Sequence, residues 1–330
     1  MNKLTLPFIL YFIDEKYRSR HSKFIDIESD FNWQEIKKYS IANKVFYWLI
    51  QNVKSLHPHL LSNLITTEEL IELTKEVRLF EKTVLFADSA LRKSSIQYLL
   101  VKSYKNVGYV TQDIDIFVQK DSFRTAIKAL KEYGATRVKL SLPNEIVFTV
   151  LYQPEEIYTA KNILKIDMYR DLSWIRLPAF GYDFLWDNPI RVNINNINTA
   201  IPNPEADLVS LLAHSLFWHG DLLLLDFLYL TKLMDSPLDW ERMFMQADKY
   251  GWKRGLLRLM NALVNTYDTL LYQDYKDCNV SFPFRIRFLD MLKNYREFIA
   301  SSNRCILPLV YMQVLFQMLV LCRERTRKND

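Results

Sequence analysis

Apolar positions in the first part of the chain fall at helical intervals. Across residues 33–53 they recur as Ile36, Ile41, Val45, Leu49 and Val53, the rhythm of a helix with one buried side. Thr66-Thr67-Glu68-Glu69 then offers a hydroxyl N-cap, which predicts the start of another helix. The rhythm changes near residue 83. Residues 83–86 form a short β-like run, 90–104 read as helix, and Asp113–Val118 alternates polar and apolar side chains as a strand does. An amphipathic helix follows over 120–133, with Phe123, Ile127 and Leu130 on one side and Gly134 as its stop.

Two β-rich segments come next, 137–151 and 163–174, and a further alternating piece covers 191–201. Beyond Pro202 and Pro204 the pattern is helical: 205–218, 222–234, 240–249 and two long helices towards the end. Strands thus concentrate between two helical regions. The expected fold is α+β, a small mixed β-sheet over 81–202, flanked by an N-terminal helical region (1–80) and an all-helical C-terminal domain (203–330).

Composition agrees with this picture. The chain has 330 residues, room for two domains, and its 49% hydrophobic and 25% charged residues are globular values. Only 6 residues are glycine, and neither a P-loop nor a dinucleotide fingerprint is present. The net charge of +5 is mild, compatible with a polyanionic partner without requiring one. The basic tail over 323–328 reads as a solvated end. Cys278, Cys305 and Cys322 form no CxxC pair, which argues against disulfides and zinc and for a reducing, cytoplasmic setting. Residues 1–12 are apolar but lack a signal-peptide cleavage site. Residues 306–321 are apolar too, yet carry Pro308, Gln313 and Gln317 and fall short of the roughly 20 residues a bilayer demands. That segment is expected to be a buried helix or one facing a partner, as in an oligomer, and no stable membrane association is expected.

The chemistry concentrates in Asp113-Ile114-Asp115-Ile116-Phe117-Val118. Strand alternation sends Asp113 and Asp115 to one face, about 7 Å apart, while Ile114 and Ile116 enter the core. Alone, such an alternation describes any strand with a wet face. A second β segment, Ile163-Leu164-Lys165-Ile166-Asp167-Met168-Tyr169, adds Asp167 opposite Ile166 and Met168. If the two strands are neighbours, three carboxylates gather on one face and repel one another unless cations neutralise them. Asp171 is the competitor for the third position. His214 and His219 are five apart, off the helical ligand spacing of i, i+4.

This arrangement of short strands, helices, an Asp-Ile-Asp strand and a later single Asp resembles the polymerase-beta-like nucleotidyltransferase superfamily. More narrowly, it is similar to uncharacterised nucleotidyltransferase families with a helical C-terminal domain, through Ile201-Pro202-Asn203-Pro204-Glu205-Ala206-Asp207-Leu208 and His214 in the following helix. The resemblance covers roughly residues 80–250. It implies that Asp113 and Asp115 hold Mg2+ or Mn2+, and that Asp167 is the third ligand and helps draw the proton from an acceptor hydroxyl. It further implies an NTP as substrate and, as acceptor, an RNA end, a protein or a small molecule. Relatives place Gly followed by Gly or Ser after the first strand, against the triphosphate. The resemblance matches this to Phe86-Ala87-Asp88-Ser89-Ala90, with Ser89 fitting and Asp88 standing where the glycine belongs. An arginine before the Asp-x-Asp strand is replaced by Tyr109, while Thr111 keeps a small hydroxyl. Lys93, Lys102 and Lys105 are candidate phosphate-binding cations on the adjacent helix, or else exposed helix lysines. A degenerate member that binds nucleotide or a protein partner without chemistry is the alternative.

Overall fold

The computed structural model describes residues 3–22, 24, 31–138, 156–174, 177–215, 221–272, 280 and 284–285. Helix α1 (Thr5–Ile13) is buried along its whole length, so the apolar N-terminal stretch is core. Asp14 ends it and caps α2 (Glu15–Arg20), accepting from the Tyr17 N–H at 3.0 Å. The periodic stretch over 33–53 is two helices, α3 (Trp33–Ala42) and α4 (Phe46–Leu56). The break falls at Lys44, whose φ of 59° leaves the helical region. A short α5 (Leu61–Leu64) leads to α6 (Thr67–Lys93). There Thr66 and Glu69 form a reciprocal capping box: the Glu69 N–H donates to Thr66 at 3.2 Å and the Thr66 N–H to Glu69 at 3.0 Å.

Helix α6 corrects two expectations. Residues 83–86 are not a strand, and 90–104 are not one helix. The capping box starts a helix of 27 residues without Gly or Pro. Val84, Ala87 and Leu91 fall on the face it lays against the sheet. This burial outweighs the β propensity of Thr83 and Val84. The helix ends at Lys93, and Ser95 turns the chain with φ 55°.

The chain then enters a five-stranded mixed sheet of β1 (Tyr98–Val101), β2 (Asp113–Val118), β3 (Thr136–Arg137), β4 (Glu156–Thr159) and β5 (Lys165–Tyr169). Its spatial order is β1-β2-β5-β4-β3, with β2 and β5 parallel and the other pairs antiparallel. Helix α7 (Phe123–Glu132) follows β2 and stops at Gly134, whose φ of 102° is the left-handed cap predicted for it. The strands β6 (Ser173–Trp174) and β7 (Leu177–Pro178) pair, and α8 (Tyr182–Trp186) follows. The alternating piece over 191–201 is a hairpin of β8 (Ile190–Ile194) and β9 (Ile197–Ile201). It turns on Asn195 and Asn196, both at positive φ, as a tight two-residue turn requires.

Asn203 caps α9 (Pro204–His214), accepting from the Ala206 N–H at 2.8 Å, with Pro204 at the first position. Then come β10 (Asp221–Leu222), paired with β11 (Phe284–Arg285), and the helices α10 (Leu224–Met234), α11 (Trp240–Lys249) and α12 (Lys253–Tyr272). The sheet separates two cores. One face packs Leu100, Ile114, Ile116, Ile166 and Met168 against α6 and α7. The other carries Leu99, Val101, Phe117 and Tyr169 into a core that the N-terminal and C-terminal helices share. The expectations for most of 137–151, for His219, the three cysteines, the 306–321 segment and the 323–328 tail lie outside the described residues. Among the described residues no helix is long and apolar enough to cross a membrane.

Candidate functional site

Strands β2 and β5 are the central pair on which the site is built. Their register sets Asp115 opposite Asp167 and Asp113 opposite Lys165. Residues paired across adjacent strands point to the same face, so alternation carries all three carboxylates to the face opposite Ile114, Ile116, Ile166 and Met168, each 0% exposed. Asp167 is 9% exposed, and its Oδ1 is buried without a hydrogen-bond partner. Burial, then the charges of Asp115 and Asp113, pushes its carboxyl up to about 8, against the pull of Lys102 and Lys165. Burial and Asp115 also raise Asp113, while Lys102, Lys44 and a hydrogen bond from Thr111 act in the other direction. The Thr111 hydroxyl lies 3.4 Å from Asp113 Oδ1 and donates to the Asp113 carbonyl at 3.2 Å. Asp171 is raised by burial, and the charges acting on it are Lys120 and Arg170, so it stands apart from the trio.

The turn after β1 closes over these acids. Lys102 adopts φ 58°, a conformation in which glycine is at ease. Its ammonium contacts Asp115 Oδ1 at 2.9 Å, with the lysine side chain only 8% exposed, and sits 4.6 Å from the centre of the Tyr169 ring. Ser103 takes the other carboxylate oxygen: its hydroxyl donates to Asp115 Oδ2 at 3.0 Å and accepts from the Asp115 N–H at 2.8 Å. The buried Tyr109 hydroxyl donates to the Ser103 carbonyl at 2.6 Å, fixing the turn. Among the described residues, no three His, Cys, Asp or Glu side chains already converge as a metal-ligand set. Both Asp115 carboxylate oxygens are engaged, Oδ1 by Lys102 and Oδ2 by Ser103.

The expected phosphate turn is elsewhere. Ser89 and Lys93 belong to the last part of α6, where Ala87, Ala90 and Leu91 pack with Ile114 and Ile116. They are therefore not brought to the carboxylates, because residues 83–86 propagate a helix instead of ending a strand. Asp88 is engaged within the helix and sheet. It accepts from Arg92 Nε and Nη2 at 3.1 and 3.0 Å and from the Tyr98 hydroxyl at 3.0 Å. Thr199 donates to that same hydroxyl at 3.0 Å, so Asp88 joins α6 to β1 and β9. The residues that do follow the first strand, Lys102 and Ser103, sit at the site. Ser103 was missed because its segment reads as helix, and Lys102 was placed on that helix. The apolar run Tyr98–Val101 ending in a polar pair was the available signal.

A cavity of about 600 Å³ opens beside Asp113 and Thr111, walled by Phe46, Tyr47, Ile65 and Leu73, with Lys44 and Glu76 among its charged lining. The turn is also tied to the C-terminal helices. Lys105 is 5% exposed, stands 3.4 Å from Asp226 on α10, and lies over the Tyr229 ring at 4.7 Å. The Tyr229 hydroxyl donates to the buried Asp207 on α9 at 2.5 Å. Burial raises Asp207, and Lys105 and that hydrogen bond oppose the rise.

No curated protein and no solved structure matches the chain. One family does, over residues 29–267, a span that takes in the carboxylate strands, the Lys102-Ser103 turn and helices α9 to α11. By that match the chain belongs to the uncharacterised nucleotidyltransferase family.

Proposed function

We propose that this protein transfers a nucleotidyl group from an NTP to an acceptor hydroxyl, using Mg2+ or Mn2+ held by Asp113, Asp115 and Asp167. The observation that carries the reading is the register of β2 on β5, which pairs Asp115 with Asp167 and leaves a buried Asp167 oxygen without a partner. Three clustered carboxylates with one orphaned oxygen form a donor set suited to a hard divalent cation. When bound, paired ions would neutralise phosphate charge and polarise the reacting oxygens. In the chain's own part of the reaction, Asp113 and Asp115 would hold the ions against which the triphosphate is positioned. Asp167 accepts the proton of the acceptor hydroxyl as its oxygen bonds to the α-phosphorus. The bond from that phosphorus to the bridging oxygen breaks, and pyrophosphate leaves with the electron pair. Thr111 keeps Asp113 in position through its two contacts. The cavity beside Asp113 is the region open to an acceptor or to the nucleoside.

The test is incubation with labelled ATP, CTP, GTP and UTP, Mg2+ or Mn2+, and acceptor mixtures of RNA, protein and small molecules. Metal-dependent pyrophosphate release that disappears in Asp113→Ala supports transfer. A thermal shift by nucleotide without turnover under every acceptor mixture favours the second reading, a nucleotide binder without chemistry. That reading draws on the lysine ammonium resting on Asp115.

A further inference from the structure

The three aspartates need positive charge, and one ammonium, that of Lys102, pairs with them directly, while Lys44 and Lys165 act on Asp113 and Asp167 without an ion pair among the described residues. Among the described residues, Lys102 to Asp115 is the ion pair that reaches the trio. It satisfies Asp115 Oδ1 alone; Asp115 Oδ2 is taken by Ser103, and Asp167 Oδ1 is left bare. One ammonium against three carboxylates is a partial match, which a doubly charged ion on the same oxygens would improve. Lys102 is also held by a backbone that disfavours it. At φ 58° a residue with a Cβ is strained relative to glycine. The ammonium is packed against the Tyr169 ring and lies 3.4 Å from its hydroxyl. The Lys102 head, on a flexible four-carbon stem, is a point charge suited to phosphate oxygens.

We propose that Lys102 is a resident counter-ion of the carboxylate site: it occupies Asp115 while the site is empty, yields that oxygen to the divalent cation, and becomes a ligand of the incoming triphosphate. This rests on the nucleotidyl-transfer reading and adds a binding residue to it. Metal and NTP then bind cooperatively, because the metal alone must evict the ammonium while the nucleotide gives it a new partner.

The experiment measures Mn2+ binding by electron paramagnetic resonance and calorimetry, without nucleotide and with α,β-methylene NTPs. It compares the wild-type protein with Lys102→Gly, chosen because glycine suits this backbone, and Lys102→Arg, which keeps the charge; circular dichroism checks folding. Lys102→Gly should bind Mn2+ about tenfold more tightly without nucleotide, and should bind the NTP analogue at least about tenfold more weakly once metal-loaded. Lys102→Arg should retain most of the nucleotide affinity. Equal Mn2+ affinity in wild type and Lys102→Gly, with binding still lost in Asp167→Asn, overturns the exchange and leaves the metal site standing. Mn2+ binding that is absent throughout, or indifferent to Asp113→Ala and Asp167→Asn, overturns the metal site and the exchange with it.

Discussion

Replacing Asp167 with Asn should stabilise the metal-free protein while abolishing its function. In the folded chain the Asp167 carboxyl is pushed up to about 8, from an ordinary value of 3.8. The folded state therefore holds this proton more tightly than the unfolded chain does. The group's contribution is fully favourable below the unfolded value and is lost as pH climbs from there towards 8. Between about pH 5 and about pH 8 the loss comes to about 3.6 kcal/mol, taking 1.36 kcal/mol per pH interval and allowing for partial ionisation at both ends. For a chain of this length that is about 5 °C in midpoint. Differential scanning fluorimetry of wild type and Asp167→Asn in chelator, across this range, reads it directly. The wild-type midpoint should fall with rising pH, Asp167→Asn should lose most of that slope, and the variant should be the more stable protein at the alkaline end. Added Mn2+ should reverse the order, since it rescues only the chain that keeps the carboxylate. Parallel pH profiles in the two proteins would refute the idea that repulsion and burial at this position strain the empty site.

Three other outcomes follow from features away from the acids. Asp88→Ala should cost about 1–3 kcal/mol in urea denaturation, because Tyr98 and Arg92 lose their acceptor. Nucleotide affinity should stay unchanged, which a phosphate-side Asp88 would not allow. Gly108→Ala should cost about 1–3 kcal/mol, since a Cβ there would come within 2.6 Å of the Tyr47 ring. The cost should largely vanish in a Tyr47→Ala background, measured as a double-mutant cycle. Asp226→Asn should cost about 2–4 kcal/mol by leaving the Lys105 ammonium buried without its partner, again read by denaturation.

The carboxylate trio was legible because its signal is local. Alternation in a strand fixes which face a side chain takes, so Asp113, Asp115 and Asp167 could be assigned before their register was known. The caps at Thr66 and Gly134 were legible for the same reason, each depending on a few neighbouring residues. The turn at Lys102 was not. Four apolar residues, Tyr98–Val101, suit a strand or a helix equally by periodicity. What decides is the sheet partner Val118–Asp115, a contact made across sequence. The same ambiguity lets residues 83–86 read as the first strand, which would set Ser89 and Lys93 at the site. There the deciding term is burial of Val84 and Ala87 under the sheet, invisible to a window of local preferences. Lys44, which acts on Asp113 from the break between α3 and α4, carries no local signal at all.

The ammonium of Lys105 fastens the loop between the first two strands to α10 much as a rivet joins two plates. Separating those helices from the sheet would pull the ammonium away from Asp226 and from the Tyr229 ring, contacts that oppose opening at that seam. The cavity beside Asp113 lies along another wall, bordered by α3 and α4, and neither Lys105 nor Asp226 lines it.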